Sequence, residues 1–221
     1  MKKKILILIL LILFPIIFSG CEKSLDLTNY LTELRSNIFC GECEDFSLRA
    51  SYGFKESPMA SDGNVGAKKY SLTFKLQNAK TDTNYTLFMS YGGKDYSIDF
   101  TINPVTNSLT AVLDIDSFTE KQFAVRVLYA GKSKDITLNS IVPKDTMEYS
   151  KALNGLQKSQ PSLISAHLNQ NGEFNAEIYM RVIVKDNRSF YYVGIASGND
   201  NLKAFLLDGK SGEVLAIREV L

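Results

Sequence analysis

The residues whose type and spacing suggest chemistry are the two cysteines of Cys40-Gly41-Glu42-Cys43. Thiols at this spacing form a disulfide, exchange disulfides with other proteins, or supply part of a metal site. Exchange needs a lowered thiol pKa, usually from a helix N-terminus, whereas this motif follows a predicted helix and precedes a predicted strand. A structural metal site needs about four ligands, and the chain has one histidine, His167. We expect a structural disulfide or paired thiols; a redox pair and a metal site are the alternatives.

Other candidate sites have simpler structural interpretations. Gly209-Lys210-Ser211 resembles the end of a phosphate loop, but the glycine required five positions earlier is Ala204. The segment from Asp114 to Ser117 is too short for a calcium loop. A Ser-His-Asp arrangement would have to use His167, which falls in a predicted strand without a motif. Among 24 acidic residues some carboxylates will meet in space, but the pattern nominates no pair. We predict no catalytic residue, no cofactor and no metal.

The N-terminus has the plan of an export signal. Three lysines, Lys2 to Lys4, precede fourteen residues without a charge, Ile5 to Phe18. A membrane-spanning helix needs about 20 apolar residues, and Pro15 interrupts this run. A cationic start, a short apolar run and small residues before a cut are typical of a secretory signal peptide.

The end of this run resembles the lipobox of bacterial lipoproteins. The residues that carry the resemblance are Phe18-Ser19-Gly20-Cys21, with Phe18 in place of the usual aliphatic residue. The resemblance implies that residues 1–20 are removed and that Cys21 becomes the acylated N-terminus. Two acyl chains anchor a protein stably where one binds reversibly. We therefore expect a location at the extracytoplasmic face of a bacterial cell membrane.

The composition argues against nucleic acid as a partner. The 201 residues from Cys21 onward carry 22 Lys+Arg and 24 Asp+Glu, a net charge of −2. Binding along a phosphate backbone needs a basic surface. Two hundred residues suit one large or two small domains.

A helix and then seven strands are predicted before Pro143. Leu27, Leu31, Leu34 and Ile38 recur at helical spacing after Asp26, a candidate N-cap. From Phe46 the apolar period changes to two, and Gly92-Gly93 between two such runs is a strong hairpin signal. The predicted strands are Phe46–Tyr52, Tyr70–Leu76, Tyr85–Tyr91, Tyr96–Ile102, Leu109–Ile115, Phe123–Tyr129 and one around Ile136 and Leu138. The size and strand count resemble an immunoglobulin-like (Ig-like) β-sandwich.

Beyond Pro143 the pattern predicts a helix followed by a strand meander. The helix would run from about Met147 to Leu156, with Asp145 and Glu148 as a capping box and Pro161 ending it. The predicted strands are Leu163–Leu168, Phe174–Val184, Ser189–Ala196, Leu202–Leu207 and Val214–Val220.

This C-terminal part resembles the PepSY module of metalloprotease propeptides and bacterial envelope proteins. The residues that carry the resemblance are Tyr191 or Tyr192 with Val193, then Asp208, Ser211, Gly212, Glu213 and Val214. The resemblance implies a small α+β fold that binds or restrains an envelope protease.

The expected organisation is a mostly β protein in four parts. They are a signal peptide (1–20), an anchored helix with the CxxC motif (21–45), an Ig-like sandwich (46–143) and a PepSY-like α+β domain (144–221). We expect a non-enzymatic, lipid-anchored protein that binds or scaffolds an envelope protein partner. The alternative is an extracytoplasmic thiol-disulfide protein that uses Cys40 and Cys43. A solute-binding lipoprotein is disfavoured, because such proteins are usually larger and two-lobed.

Overall fold

The computed structural model describes residues 25–57, 65–197 and 201–220. It is mostly β, with 58% of the described residues in strands and 11% in helices, so the prediction of a mostly β fold is confirmed. The described residues form thirteen strands: β1 (Leu31–Glu42), β2 (Ser47–Glu56), β3 (Lys68–Gln77), β4 (Tyr85–Tyr91), β5 (Lys94–Asp99), β6 (Thr101–Asn103), β7 (Ser108–Asp114), β8 (Gln122–Tyr129), β9 (Lys132–Ser140), β10 (Glu177–Lys185), β11 (Arg188–Ser197), β12 (Asn201–Asp208) and β13 (Val214–Val220). Their helices are a 3₁₀ turn (Leu27–Tyr30), α1 (Tyr149–Ser159) and α2 (Pro161–Ala166).

The strands form one continuous, curled sheet. Its main path runs in the order β13-β12-β11-β10-β1-β2-β3-β7-β6, and a branch β5-β4-β8-β9 joins β1 through β9. Apart from the parallel pair β1–β10, neighbouring strands are antiparallel.

β1 is the strand that joins the two parts of the sheet. Its first half, from Leu31 to Arg35, runs parallel to β10, while β2 lies antiparallel along the other side. Near its end Phe39 pairs with Ser140 of β9. Along the edge opposite β2, β1 therefore pairs first with β10 and then, near its end, with β9.

Two apolar cores lie on this sheet. The first is between the branch and the β1-β2-β3-β7 run; its largest fully buried members are Phe39, Leu48, Leu72, Phe74, Leu87 and Leu138. The second is between β10–β12 with the first half of β1 and the helices that cover them; it includes Leu31, Leu34, Leu153, Leu156, Met180 and Phe205. Strand β1 contributes to both cores, because its neighbouring residues Ile38 and Phe39 belong to the second and the first core respectively.

The predicted N-terminal helix is wrong. Asp26 does cap a helical turn, since its carboxylate accepts a hydrogen bond from the Thr28 N–H at 3.0 Å. That turn ends at Tyr30, and the chain continues as β1.

The physical reason is a pair of β-bulges in β1, the first between Leu31 and Glu33. A bulge adds one residue and reverses the in–out alternation that follows it. Leu31 and Leu34 are therefore both buried although three positions separate them. The resulting spacing is indistinguishable from that of a helix face.

Two predictions beyond Pro143 are also wrong. The segment predicted as a strand from Leu163 to Leu168 lies mostly in α2, because Pro161 occupies the first turn of a new helix, where its fixed φ fits. The capping box at Asp145 does not form: Glu148 is the N-cap of α1 and makes no side-chain cap bond. Asp145 instead pairs with Lys210 at 2.9 Å.

The Gly92-Gly93 hairpin is confirmed. Both glycines have positive φ, 60° and 75°, as the tightest hairpin turns require. They connect β4 to β5 in the expected antiparallel pair. Strand β13 also has its predicted bounds, Val214–Val220.

Candidate functional site

The two cysteines lie at the end of β1 and in the turn after it. Cys40 is paired with Arg49 of β2 inside the sheet, and it is partly buried. Cys43 stands in the turn to β2, where both its N–H, at 3.0 Å, and its thiol, at 3.4 Å, donate to the Phe46 carbonyl. Both are free thiols in this structure, so their pairing stays a prediction.

The surroundings of Cys40 do not resemble those of an activated thiol. Burial raises the pKa of Cys40, and the nearby Arg49 offsets this only in part. Reactive thiols have the opposite shift, usually from a helix N-terminus, whereas Cys40 lies within a strand. The geometry therefore favours a structural role over disulfide exchange.

The predicted lipidation residue, Cys21, lies outside the described residues. The described chain begins at Leu25, and Leu27 is already fully buried in the second core. Cys21 precedes the first described residue by four positions in the sequence. Within the described residues, no helix combines the length and apolar character that crossing a bilayer would require.

The turn between β12 and β13 is organised by Asp208. One oxygen of its carboxylate accepts hydrogen bonds from the backbone N–H groups of Lys210, at 3.0 Å, and Ser211, at 2.9 Å. The Arg188 guanidinium donates to the other oxygen at 3.0 Å. These donors, the two backbone groups foremost, lower the pKa of Asp208 to about 2. Asp208, Ser211 and Gly212, which carry part of the predicted PepSY resemblance, therefore build a hairpin turn, with Gly212 at a φ of 74°.

His167 lies at the end of α2 and packs against an aromatic ring. It follows α2 rather than lying in the predicted strand, and its ring packs edge-on against Phe174 at 5.8 Å between centroids. Burial, and secondarily the charge of Lys203, lower its pKa. Nowhere in the part of the chain that the structure describes do three His, Cys, Asp or Glu residues come together as a metal site would need.

A buried ion pair at the junction of β1 and β10 was not predicted. Glu33 is 2% exposed, and the Arg181 guanidinium donates to its two oxygens at 2.6 and 2.8 Å. The Lys55 ammonium lies 3.8 Å away. Burial opposes ionisation of Glu33, but the Arg181 bonds and positive charge outweigh it, so the pKa of Glu33 is lowered. No local signal could have found this pair, because 148 positions separate its members.

The edge of the sheet at β13 is an exposed apolar surface. Among the described strands, β13 is hydrogen-bonded only to β12. Leu215 and Ile217 are 45% and 50% exposed. An edge of this kind presents unpaired backbone donors and acceptors that can pair with another chain.

No protein-family model matches the chain, and no curated protein matches it.

Proposed function

We propose that the chain is a lipid-anchored, non-catalytic protein of the bacterial envelope, which binds a protein partner through an exposed edge of its sheet. The anchor would be lipid on Cys21, and the body would stand at the extracytoplasmic face of the cell membrane. The observation that carries the binding role is the open edge at β13. A partner segment in extended conformation would add to it as a further strand, as in β-augmentation.

The contacts at β13 suit this mode of binding. Main-chain hydrogen bonds would give affinity, and side chains at alternate positions would give specificity. Leu215 and Ile217 are two residues apart, so they would offer apolar contacts at that spacing. The neighbouring strand β12 is firmly held, because Phe205 and Leu207 are buried in the second core.

We also propose that residues 46–143 are an Ig-like module and residues 144–221 a PepSY-like module. The two apolar cores and the two helices packed on β10–β12 support this division. By analogy with PepSY modules, the partner would be an envelope protease or a similar envelope protein.

Site-specific photo-crosslinking in cells tests the binding surface. A photoreactive residue at Ile217 is expected to trap one defined partner. Leu128, which is 42% exposed but lies on β8 between β4 and β9, is the matched control and is expected to trap none. Leu215→Lys, placed in the chain that carries the photoreactive residue at Ile217, should then lower the yield of the adduct about tenfold, since a charge on an edge strand opposes pairing. The same adducts at both positions, or none at Ile217, would reject β13 as the surface.

Intact mass and thiol titration of the chain released from native membranes test the anchor and the redox alternative together. We expect a mass that begins at Cys21 with a diacylglycerol increment, and no reactive thiols at Cys40 and Cys43. A chain that retains residues 1–20, or that carries no lipid, would contradict the anchor. Free thiols that react at neutral pH would bring the thiol-disulfide alternative forward.

A further inference from the structure

The outer face of the sheet carries a cluster of positive charge where β10, β1, β2 and β3 lie side by side. Arg181, Arg35, Gly53 and Ser71 occupy consecutive places in one row across these strands. On β1 and β2, Glu33 and Lys55 form a cross-strand pair two positions along from the pair Arg35–Gly53. Three cations thus surround one carboxylate, and two of them, Arg181 and Lys55, already contact it.

Arg35 is the third cation of this cluster and the one that does not contact Glu33. Its guanidinium makes no hydrogen bond or ion pair with any residue that the structure describes, although the side chain is partly buried. Burial, and next the charge of Arg181, lower the pKa of Arg35. A guanidinium has five N–H donors, so a partly buried one without an acceptor is costly unless an anion or water satisfies it.

A small cavity lies beside this guanidinium, here called the Arg35 cavity. Its volume is about 90 Å³, which corresponds to roughly three waters at about 30 Å³ each. The hydroxyl-bearing residues Ser51, Ser71 and Thr73 line it together with Arg35, Lys55 and Glu33. None of these hydroxyls has a hydrogen-bond partner among the described residues.

From this arrangement we propose that the Arg35 cavity binds a phosphate group. The guanidinium would donate in its forked geometry to two phosphate oxygens, and Lys55 would add a second positive charge. The three hydroxyls supply donors for the remaining oxygens. Glu33 does not repel the anion strongly, because its charge is compensated by the two-pronged bond from Arg181. Arg49, which also influences Arg35 electrostatically, adds to the positive field.

The ligand is either free phosphate or a phosphate monoester. Both present the same tetrahedral oxyanion to the cavity, and the proposal does not depend on the lipid anchor or on binding at β13. Calorimetric titration of the detergent-solubilised full chain, once with inorganic phosphate and once with glycerol 3-phosphate, distinguishes them. Tighter binding of the ester assigns an esterified ligand, whereas equal or tighter binding of phosphate assigns the free ion.

Arg35→Gln is the decisive variant. It is expected to weaken phosphate binding at least about tenfold, the usual effect of removing a charged hydrogen-bond donor. Arg126→Gln is the matched control, since Arg126 is an exposed arginine paired with Asp135 on β9, and it should leave binding unchanged. Ser71→Ala removes one donor without altering charge, so it should weaken binding even if Arg35→Gln impairs folding. Absence of saturable binding, or equal losses in Arg35→Gln and Arg126→Gln, would overturn the proposal.

Discussion

The carboxylate of Glu33 depends on Arg181 to remain charged in the interior. Arg181→Met would leave that carboxylate with Lys55 as its remaining contact. Loss of one partner from a fully buried pair costs about 3–5 kcal/mol. Because the Arg181 side chain is 40% exposed, we expect a smaller loss of about 2 kcal/mol in the free energy of unfolding, measured by urea denaturation at pH 7.

The pH dependence of the free energy of unfolding distinguishes the loss of the Glu33–Arg181 ion pair from the loss of packing by the Arg181 side chain. In the wild type the pKa of Glu33 is below its ordinary 4.5, so its stabilisation is complete above pH 4.5 and lost as the pH falls through the folded-state value. In Arg181→Met burial is opposed only by the charges of Lys55 and Arg35, so the pKa of Glu33 is expected to rise. The difference in the free energy of unfolding between the wild type and Arg181→Met should therefore become smaller as the pH falls. The exposed pair Arg126–Asp135 supplies the control, since Arg126→Met should leave the free energy of unfolding nearly unchanged. A pH-independent difference would contradict the electrostatic explanation.

Asp208 gives a second prediction, about acid stability. Its folded-state pKa is about 2, against an ordinary 3.8. The stabilisation is thus complete above pH 3.8 and is lost as the pH falls through about 2. Asp208→Asn removes this charge, so its stability deficit should be constant at neutral pH and shrink below pH 4. The midpoints of urea denaturation between pH 2 and 7 measure this deficit, and Asp116→Asn, at an exposed residue, is the control. Equal pH profiles for the two variants would refute the prediction.

Among the secondary-structure elements, β1 depends on close approach to β2. An ideal Cβ at Gly53 would lie 1.8 Å from the carbonyl oxygen of Leu34, at the part of β1 between its bulges. Gly53→Ala must displace one backbone from the other, and we expect a loss of more than about 2 kcal/mol in unfolding free energy.

Gly155→Ala is the matched control for this prediction. Gly155 lies in α1, and the nearest neighbour of an added Cβ is 3.8 Å away. Alanine stabilises a helix interior by about 0.5–1 kcal/mol relative to glycine. Urea denaturation should therefore show opposite signs for the two substitutions, and a neutral Gly53→Ala would mean that β1 and β2 are not packed in this register.

How far an element could be predicted depended on whether its signal was local. β4 and the Gly92-Gly93 turn were found because period-two alternation and glycine at positive φ are properties of adjacent residues. β1 was missed because its bulges imitate helical spacing, and only its pairing with β10 and β2 shows otherwise. Glu33–Arg181 was missed because 148 positions separate its members. The Arg35 cavity was missed because its residues come from three paired strands, and their pairing register is not a property of adjacent residues.

At the scale of the whole molecule, β1 should make the two cores unfold together. Leu87 in the first core and Leu153 in the second are both fully buried, and truncating a buried leucine to alanine costs about 2–5 kcal/mol. We expect Leu87→Ala and Leu153→Ala each to lower the midpoint of a single thermal transition, followed by circular dichroism. Two transitions, each shifted by one variant alone, would show instead that the cores are independent.

The position of β1 also sets an order of events during folding. It is the first strand of the described chain, yet its ion pair to β10 closes across 148 positions. Contacts of such long range slow folding, because the intervening chain must be ordered before they form. A chain that emerges N-terminus first therefore keeps one edge of an apolar strand open until β9 and then β10 arrive, and open strand edges favour aggregation. The first of the described strands to emerge is therefore among the last to be completed. Any factor that shields β1 before β9 and β10 have formed should raise the yield of folded protein.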